Sequence, residues 1–202
     1  MANLPSLDTQ ARVASEAAED FVNHYYESLN KRQSLAAYYA STSSHLTSAS
    51  VKPDISINGR VVESIAAYEA LLDAQGANVH YTVTSFDAHP VNPNYALGCP
   101  ENLSAAANGE ANGPGRGKIT KSVKDGDRVS FAIQVSGTIR YGKPGDTPAP
   151  AAPEGGAAVD GAPPEVAFNE SWFLVPHWEA LGRNAARGLK KWVVVSQNFR
   201  AL

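Results

Sequence analysis

The sequence predicts an α+β fold, with three helices packed on one face of a strongly curved, mostly antiparallel sheet. Three observations carry this expectation. Apolar residues at helical spacing are confined to the stretch before Gly76. From Val79 onward they alternate instead, which is the period of a strand. The last two strand patterns are apolar on both faces, whereas helices can cover only one face of a sheet. The chain has 202 residues and reads as a single domain, 1–202, with long loops at about 90–117 and 143–164.

The first helix is expected over about Thr9 to Asn30. Ala14, Ala17, Ala18, Phe21, Val22, Tyr25 and Leu29 line one face, and Glu16, Glu19 and Asp20 lie opposite. Asp8 or Thr9 suits its cap, and Lys31-Arg32 suits its carbonyl end. A short second helix carries Leu35, Tyr38 and Tyr39. His45 to Ser50 reads as a strand, and Ile55 to Ile57 as another, ended by the turn dipeptide Asn58-Gly59. Val62, Ile65, Tyr68, Glu69 and Leu72 recur at helical spacing before Gly76 and predict the third helix.

Four long strands follow. Val79, Tyr81 and Val83 alternate, and the phase then moves to Phe86 and Ala88, which predicts a bulge near Thr84-Ser85. Val129 to Tyr141 has one apolar and one polar face. In the strands at about Glu165 to Val175 and Lys191 to Arg200, both faces are apolar, predicting a surface that something else must cover. The loops between them, Pro90 to Gly117 and Lys143 to Pro164, are rich in Gly, Pro, Ala and Asn and have no periodic apolar face.

Composition excludes several functions. Net charge is −3, so a globally basic nucleic-acid binder is ruled out, though not a local basic patch. One cysteine, Cys99, allows no intrachain disulfide and no multi-cysteine zinc site. No apolar run is long enough to span a membrane as a helix. The first residues lack the basic start and apolar centre of a secretory signal, so a reducing intracellular compartment is expected. Asn102-Leu-Ser and Asn169-Glu-Ser then match the glycosylation pattern by chance. His24, His45, His80, His89 and His177 lack metal-site spacing, and no metal or cofactor is expected.

Phe21-Val-Asn-His-Tyr-Tyr-Glu-Ser-Leu-Asn, Ile57-Asn-Gly59, Phe168-Asn-Glu-Ser-Trp-Phe-Leu and Trp192-Val-Val-Val-Ser-Gln-Asn-Phe-Arg200 together resemble the nuclear transport factor 2-like fold. More narrowly they are similar to the small subunit of the heterodimeric mRNA export receptor, over roughly Ala11 to Arg200. The two loops are longer than in compact members. The resemblance implies a cone-shaped domain without catalytic residues or cofactor, pairing its sheet with the related domain of a large receptor subunit. It implies carriage of mRNA, and in fungi of pre-ribosomal large subunits, between nucleus, nuclear pore and cytoplasm. Phenylalanine-glycine nucleoporin repeats are then met mainly by the partner. Arg200 falls where the family's arginine pairs with an acidic residue of the large subunit.

The candidate partner interface is therefore Arg200, Asn198, Ser196, Trp192, Phe168, Trp172 and Phe173. Unbroken alternation places Arg200 with Trp192, Val194, Ser196 and Asn198, opposite Val193, Val195 and Phe199. Of Trp172 and Phe173, one faces the core and the other is a candidate contact. A guanidinium suits the task because its planar fork meets a carboxylate bidentately. Two basic stretches, with Lys118, Lys121 and Lys124 and with Arg183, Arg187, Lys190 and Lys191, are candidate weak RNA contacts. Two alternatives compete: a homodimeric transport factor binding a small GTPase or other cargo, and a cone-pocket isomerase or dehydratase. The last needs an inward acid or histidine, for which Asp87, His80, His89, Glu170 and His177 are the candidates.

Overall fold

The computed structural model describes residues 4–76, 78–101, 103, 123–142, 165–182 and 185–202. Helix α1, Leu7–Asn30, starts earlier than its apolar spacing suggests. Its cap is Ser6, not Asp8 or Thr9, because the Ser6 hydroxyl accepts from the Thr9 N–H at 3.1 Å. Its buried stripe runs from Val13 to Leu29, and Arg12–Glu16 lies on the exposed side at 3.0 Å.

The second helix is two short 3-10 turns, Ala36–Tyr38 and Ala40–Thr42, which still bury Tyr38, Tyr39 and Ala40. The strand expected at His45 to Ser50 is instead a helix, α2, Ser44–Ser48. Its start is capped by the Ser43 hydroxyl, which accepts from the Leu46 N–H at 3.3 Å, and is held further from elsewhere in the chain. Glu179 accepts from the Ser43 hydroxyl at 2.6 Å, the Ser44 hydroxyl at 2.8 Å and the His45 N–H at 3.1 Å.

Strand β1, Asp54–Ile57, turns through Asn58-Gly59 into β2, Arg60–Val62, a short strand that the helical spacing had absorbed. Helix α3, Ile65–Ala74, starts on the Ser64 cap. Strands β3, Val79–Asn92, β4, Ser130–Tyr141, β5, Glu165–Pro176, and β6, Trp192–Ala201, complete one six-stranded sheet among the described residues, in the order β2-β1-β6-β5-β4-β3. All neighbours are antiparallel except β1 and β6. The β3 register shifts between Val83 and Ser85, as the change of phase predicts. Gly137 on β4 admits no side chain, since a Cβ there would stand 2.6 Å from the Phe168 ring. The sheet bends closely at that point.

The main core lies between the sheet, α1 and α3. It gathers Phe21, Tyr25, Tyr26, Phe131, Ile133, Phe168, Trp172 and Phe199. A second cluster on the opposite face holds Leu46, Leu103, Val175, Trp178, Leu181 and Val193, with Phe173 and Val195 half-buried against it. That corrects the expectation of an uncovered apolar surface on β5 and β6. The chain covers it with α2, the 3-10 turn Trp178–Leu181 and part of the 90–117 loop. Trp178 donates its Nε1–H to the Leu97 carbonyl at 2.9 Å and stacks on Tyr95. The buried guanidinium of Arg128 bonds Asn94 at 3.2 Å and the Leu103 carbonyl. Residues 93–101 are thus fastened to the domain rather than loose. The stretch 143–164 lies outside the described residues.

Candidate partner-binding face

Between the second cluster and the β3 edge, the sheet face turned away from α1 carries short, mostly polar side chains. Strand registers align them in rows. Ser85, Ser136, Asn169 and Arg200 form one, and Asp87, Gln134, Ser171, Asn198 and Ser56 the next. His89, Ala132, Phe173, Ser196 and Asp54 form the third. Within the first row the Ser136 hydroxyl donates to Asn169 Oδ1 at 2.7 Å. No large side chain rises from the middle of the first two rows, so a second sheet can approach there to the usual packing distance of about 10 Å.

Arg200 is exposed at the end of β6 and, among the described residues, has no ion pair. Its guanidinium lies over Gly59, where a Cβ would stand 3.1 Å from Nη1. Asn198 is also exposed, and Ser196 and Phe173 are half-buried on the same face.

The other expected interface residues lie elsewhere. Phe168 and Trp172 are 1% and 2% exposed and pack on Tyr26 and Phe21 of α1. Trp172 is thus the core member of its pair and Phe173 the outward one. Trp192 also faces the helices, donating its Nε1–H to the Val129 carbonyl at 2.9 Å. The cause is a bulge. Phe173 pairs with Ser196 but Leu174 with Val194, so Val195 is skipped. Strict alternation across β6 therefore fails, and Trp192 and Val194 share a side with Gln197 and Phe199. The polar rows on β4 and β5 were visible mainly as the outward half of an alternating pattern; Asn169 stood inside the Phe168-Asn-Glu-Ser-Trp-Phe-Leu motif, and nothing in the sequence marked Ser136 individually.

Inside the cone, Glu170 is 2% exposed. Tyr26 donates to its Oε2 at 2.7 Å and Gln197 Nε2 to its Oε1 at 2.6 Å. Gln197 in turn accepts from Tyr39 at 2.5 Å, and Tyr39 meets Tyr25 at 3.1 Å. Burial pushes the Glu170 carboxyl up to about 7, although both hydrogen bonds pull the other way. The same burial holds Tyr26 protonated, as a donor. Phe168 and Trp172 fill the space beside this network, so the acid is a structural member of the core. The other candidate bases have no such place. His89 and Asp87 pair with each other at 3.2 Å in the open. His80 is exposed. His177 is buried beside Glu179 at 3.2 Å, and burial lowers its pKa.

Of the candidate RNA contacts, Lys118, Lys121 and Arg183 lie outside the described residues. Lys124 and Arg187 are exposed. Lys190 sits over the Tyr38 ring at 4.7 Å, and Lys191 over Trp192 at 4.3 Å while pairing with Asp127 at 2.8 Å. With Phe21 and Leu189, Tyr38, Lys190, Lys191 and Trp192 line a cavity of about 250 Å³.

A cone closed by α1 and α3 on one side, with polar rows on the opposite face of its sheet, has the architecture of the nuclear transport factor 2-like fold. No protein-family model and no curated protein sequence matches the chain. Solved structures do. The chain is similar to a chain of the structure of a Sac3N peptide bound to Mex67:Mtr2, at 28% identity and a TM-score of 0.73, over 94% of this chain and 99% of that one. It is similar to a chain of the Chaetomium thermophilum Mex67 NTF2-like domain complexed with Mtr2, at 28% identity and a TM-score of 0.72, over 94% and 98%. A structure of Mtr2 itself aligns at 26% identity and a TM-score of 0.70, over 94% and 99%. Over nearly its whole length the chain is thus Mtr2-like, which supports a small subunit of the heterodimeric mRNA export receptor.

Proposed function

We propose that this chain is the non-catalytic small subunit of an mRNA export receptor, and that it lends its open sheet face to the NTF2-like domain of a Mex67-type large subunit. The carrying observation is the pair of polar rows around Ser136, Asn169, Ser171, Asn198 and Arg200, with an arginine that has no ion pair among the described residues. The similarity to Mtr2 in complexes with Mex67 supports the same pairing. The working interface is Arg200, Asn198, Ser196 and Phe173, extended to Asn169, Ser136 and Gln134. Phe168, Trp172 and Trp192 act behind it, by fixing the curvature of the sheet. Through the partner, the complex meets nucleoporin repeats and shuttles between nucleus, pore and cytoplasm, and Arg187, Lys190 and their basic neighbours add a weak contact to RNA or pre-ribosomes. Co-expression with a Mex67-type NTF2-like domain tests the pairing. A 1:1 complex by native mass supports it; a homodimer that ignores the domain contradicts it.

A further inference from the structure

We propose that the Asn58-Gly59 turn is a seat that orients Arg200 toward its partner, making Gly59 a positioning residue for assembly. The inference rests on the reading of Arg200 given above and adds a second element to it. The turn joins β1 to β2 in two residues, with Ile57 opposite Arg60, and both central residues take positive φ, 51° and 81°. That is the tight hairpin form which asparagine followed by glycine favours. Asn58 then grips β6 on both sides of Arg200. Its N–H donates to the Phe199 carbonyl at 2.8 Å, and its Oδ1 accepts from the Ala201 N–H at 2.8 Å.

Gly59 supplies the surface. A Cβ at that position would lie 3.1 Å from Nη1 and 3.7 Å from both Cζ and Nη2, so the guanidinium fills the space beside Gly59 that a side chain would enter. On the neighbouring strand its register partner is Asn169, whose Oδ1 is already taken by Ser136. An exposed arginine ordinarily loses considerable rotamer freedom when it is captured. Here the turn confines the side chain beforehand and, among the described residues, leaves its donors without a hydrogen bond, ready for a bidentate carboxylate. The absent side chain at Gly59 has a steric purpose beyond the turn's φ.

The test is a double-mutant cycle by calorimetry, titrating the full chain with the Mex67-type NTF2-like domain. The proteins are wild type, Gly59→Asn, Arg200→Ala and the double variant. Asparagine tolerates positive φ, so Gly59→Asn keeps the turn while adding bulk beneath the guanidinium. The expected result is about a tenfold loss of affinity when Arg200 is present, and less than about a twofold change in the Arg200→Ala background. Equal losses in both backgrounds, or no loss while Arg200→Ala alone weakens binding, overturn the seat and leave the Arg200 reading standing. Wild-type affinity for Arg200→Ala overturns that reading and the seat with it. Asn58→Gly, which retains the turn but removes the Oδ1 acceptor, repeats the cycle if Gly59→Asn fails to fold.

Discussion

Replacing Glu170 by glutamine should abolish a specific pH dependence of stability. In the folded chain the Glu170 carboxyl is raised from 4.5 to about 7 by burial. The unfolded chain ionises it at the ordinary carboxylate value. Between these two values the folded state binds more protons than the unfolded one, so stability falls as pH rises from about 4.5 to about 7 and then levels off. The size is about 3 kcal/mol, taken from the displacement and the free energy per pKa unit. Glutamine keeps the shape and the acceptor for Gln197 but carries no charge. Glu170→Gln should therefore gain on wild type steadily across this window, ending more stable at pH 8 than at pH 5 relative to it. The difference curve isolates the effect, because His177, with its lowered pKa, contributes the opposite slope in both proteins. Glu179, held down to about 2 mainly by its hydrogen bonds, contributes stability that is lost only as pH falls from about 4.5 toward 2. The assay is chemical denaturation of both proteins at several pH values from 5 to 8. A difference curve that is flat, or that slopes the other way, would refute the picture of a carboxyl whose pKa is raised by burial among Tyr26, Gln197 and Trp172.

Other outcomes follow from the same fold. Trp178→Ala should cost about 3–5 kcal/mol, because it empties the second cluster and frees the Leu97 carbonyl; thermal melts measure it, and a change under 1 kcal/mol would contradict that cluster's role. Replacing residues 143–164 with a short Gly-Ser link should leave melting and heterodimer formation nearly unchanged, since loop closure depends weakly on length; a large drop in melting temperature would reveal packing by this stretch. Neutralising Arg187 and Lys190 should weaken RNA retention most at low salt while sparing the heterodimer, and binding that ignores salt would return these side chains to a solvated surface.

The sequence was legible where local pattern and tertiary demand agree. Helix α1, strands β3 to β6 and the bulge after Val83 all follow from periodicity alone. It was misleading where a distant group decides. His45 to Ser50 reads as a strand from its Ser/Thr-rich composition, but Ser43 caps α2 and the distant Glu179 holds Ser43, Ser44 and the His45 N–H, a carboxylate that no local rule contains. The apolar outward residues of β5 and β6 read as an exposed surface because Trp178, Leu181 and Leu103, which cover them, sit in segments without periodicity. At the candidate face the β6 bulge at Val195 has no signature in a run of three valines, and it alone moves Trp192 from the partner side to the core. Arg200, Asn198 and Ser196 kept their places because they lie beyond the bulge.

The central claim is that the polar sheet face around Arg200 is where a large subunit binds, and charge reversal tests it most directly. Calorimetry of Arg200→Asp against the Mex67-type NTF2-like domain should show no assembly, with the free chain melting as wild type does, since Arg200 has no internal ion pair among the described residues. Arg200→Ala should lose about 3–5 kcal/mol if it leaves a buried acid unpaired, and Arg200→Lys should fall between that and wild type. Exchanging the partner's acid for arginine should return part of the affinity to Arg200→Asp. Undiminished binding by Arg200→Asp, or a loss accompanied by unfolding of the free chain, would contradict the account.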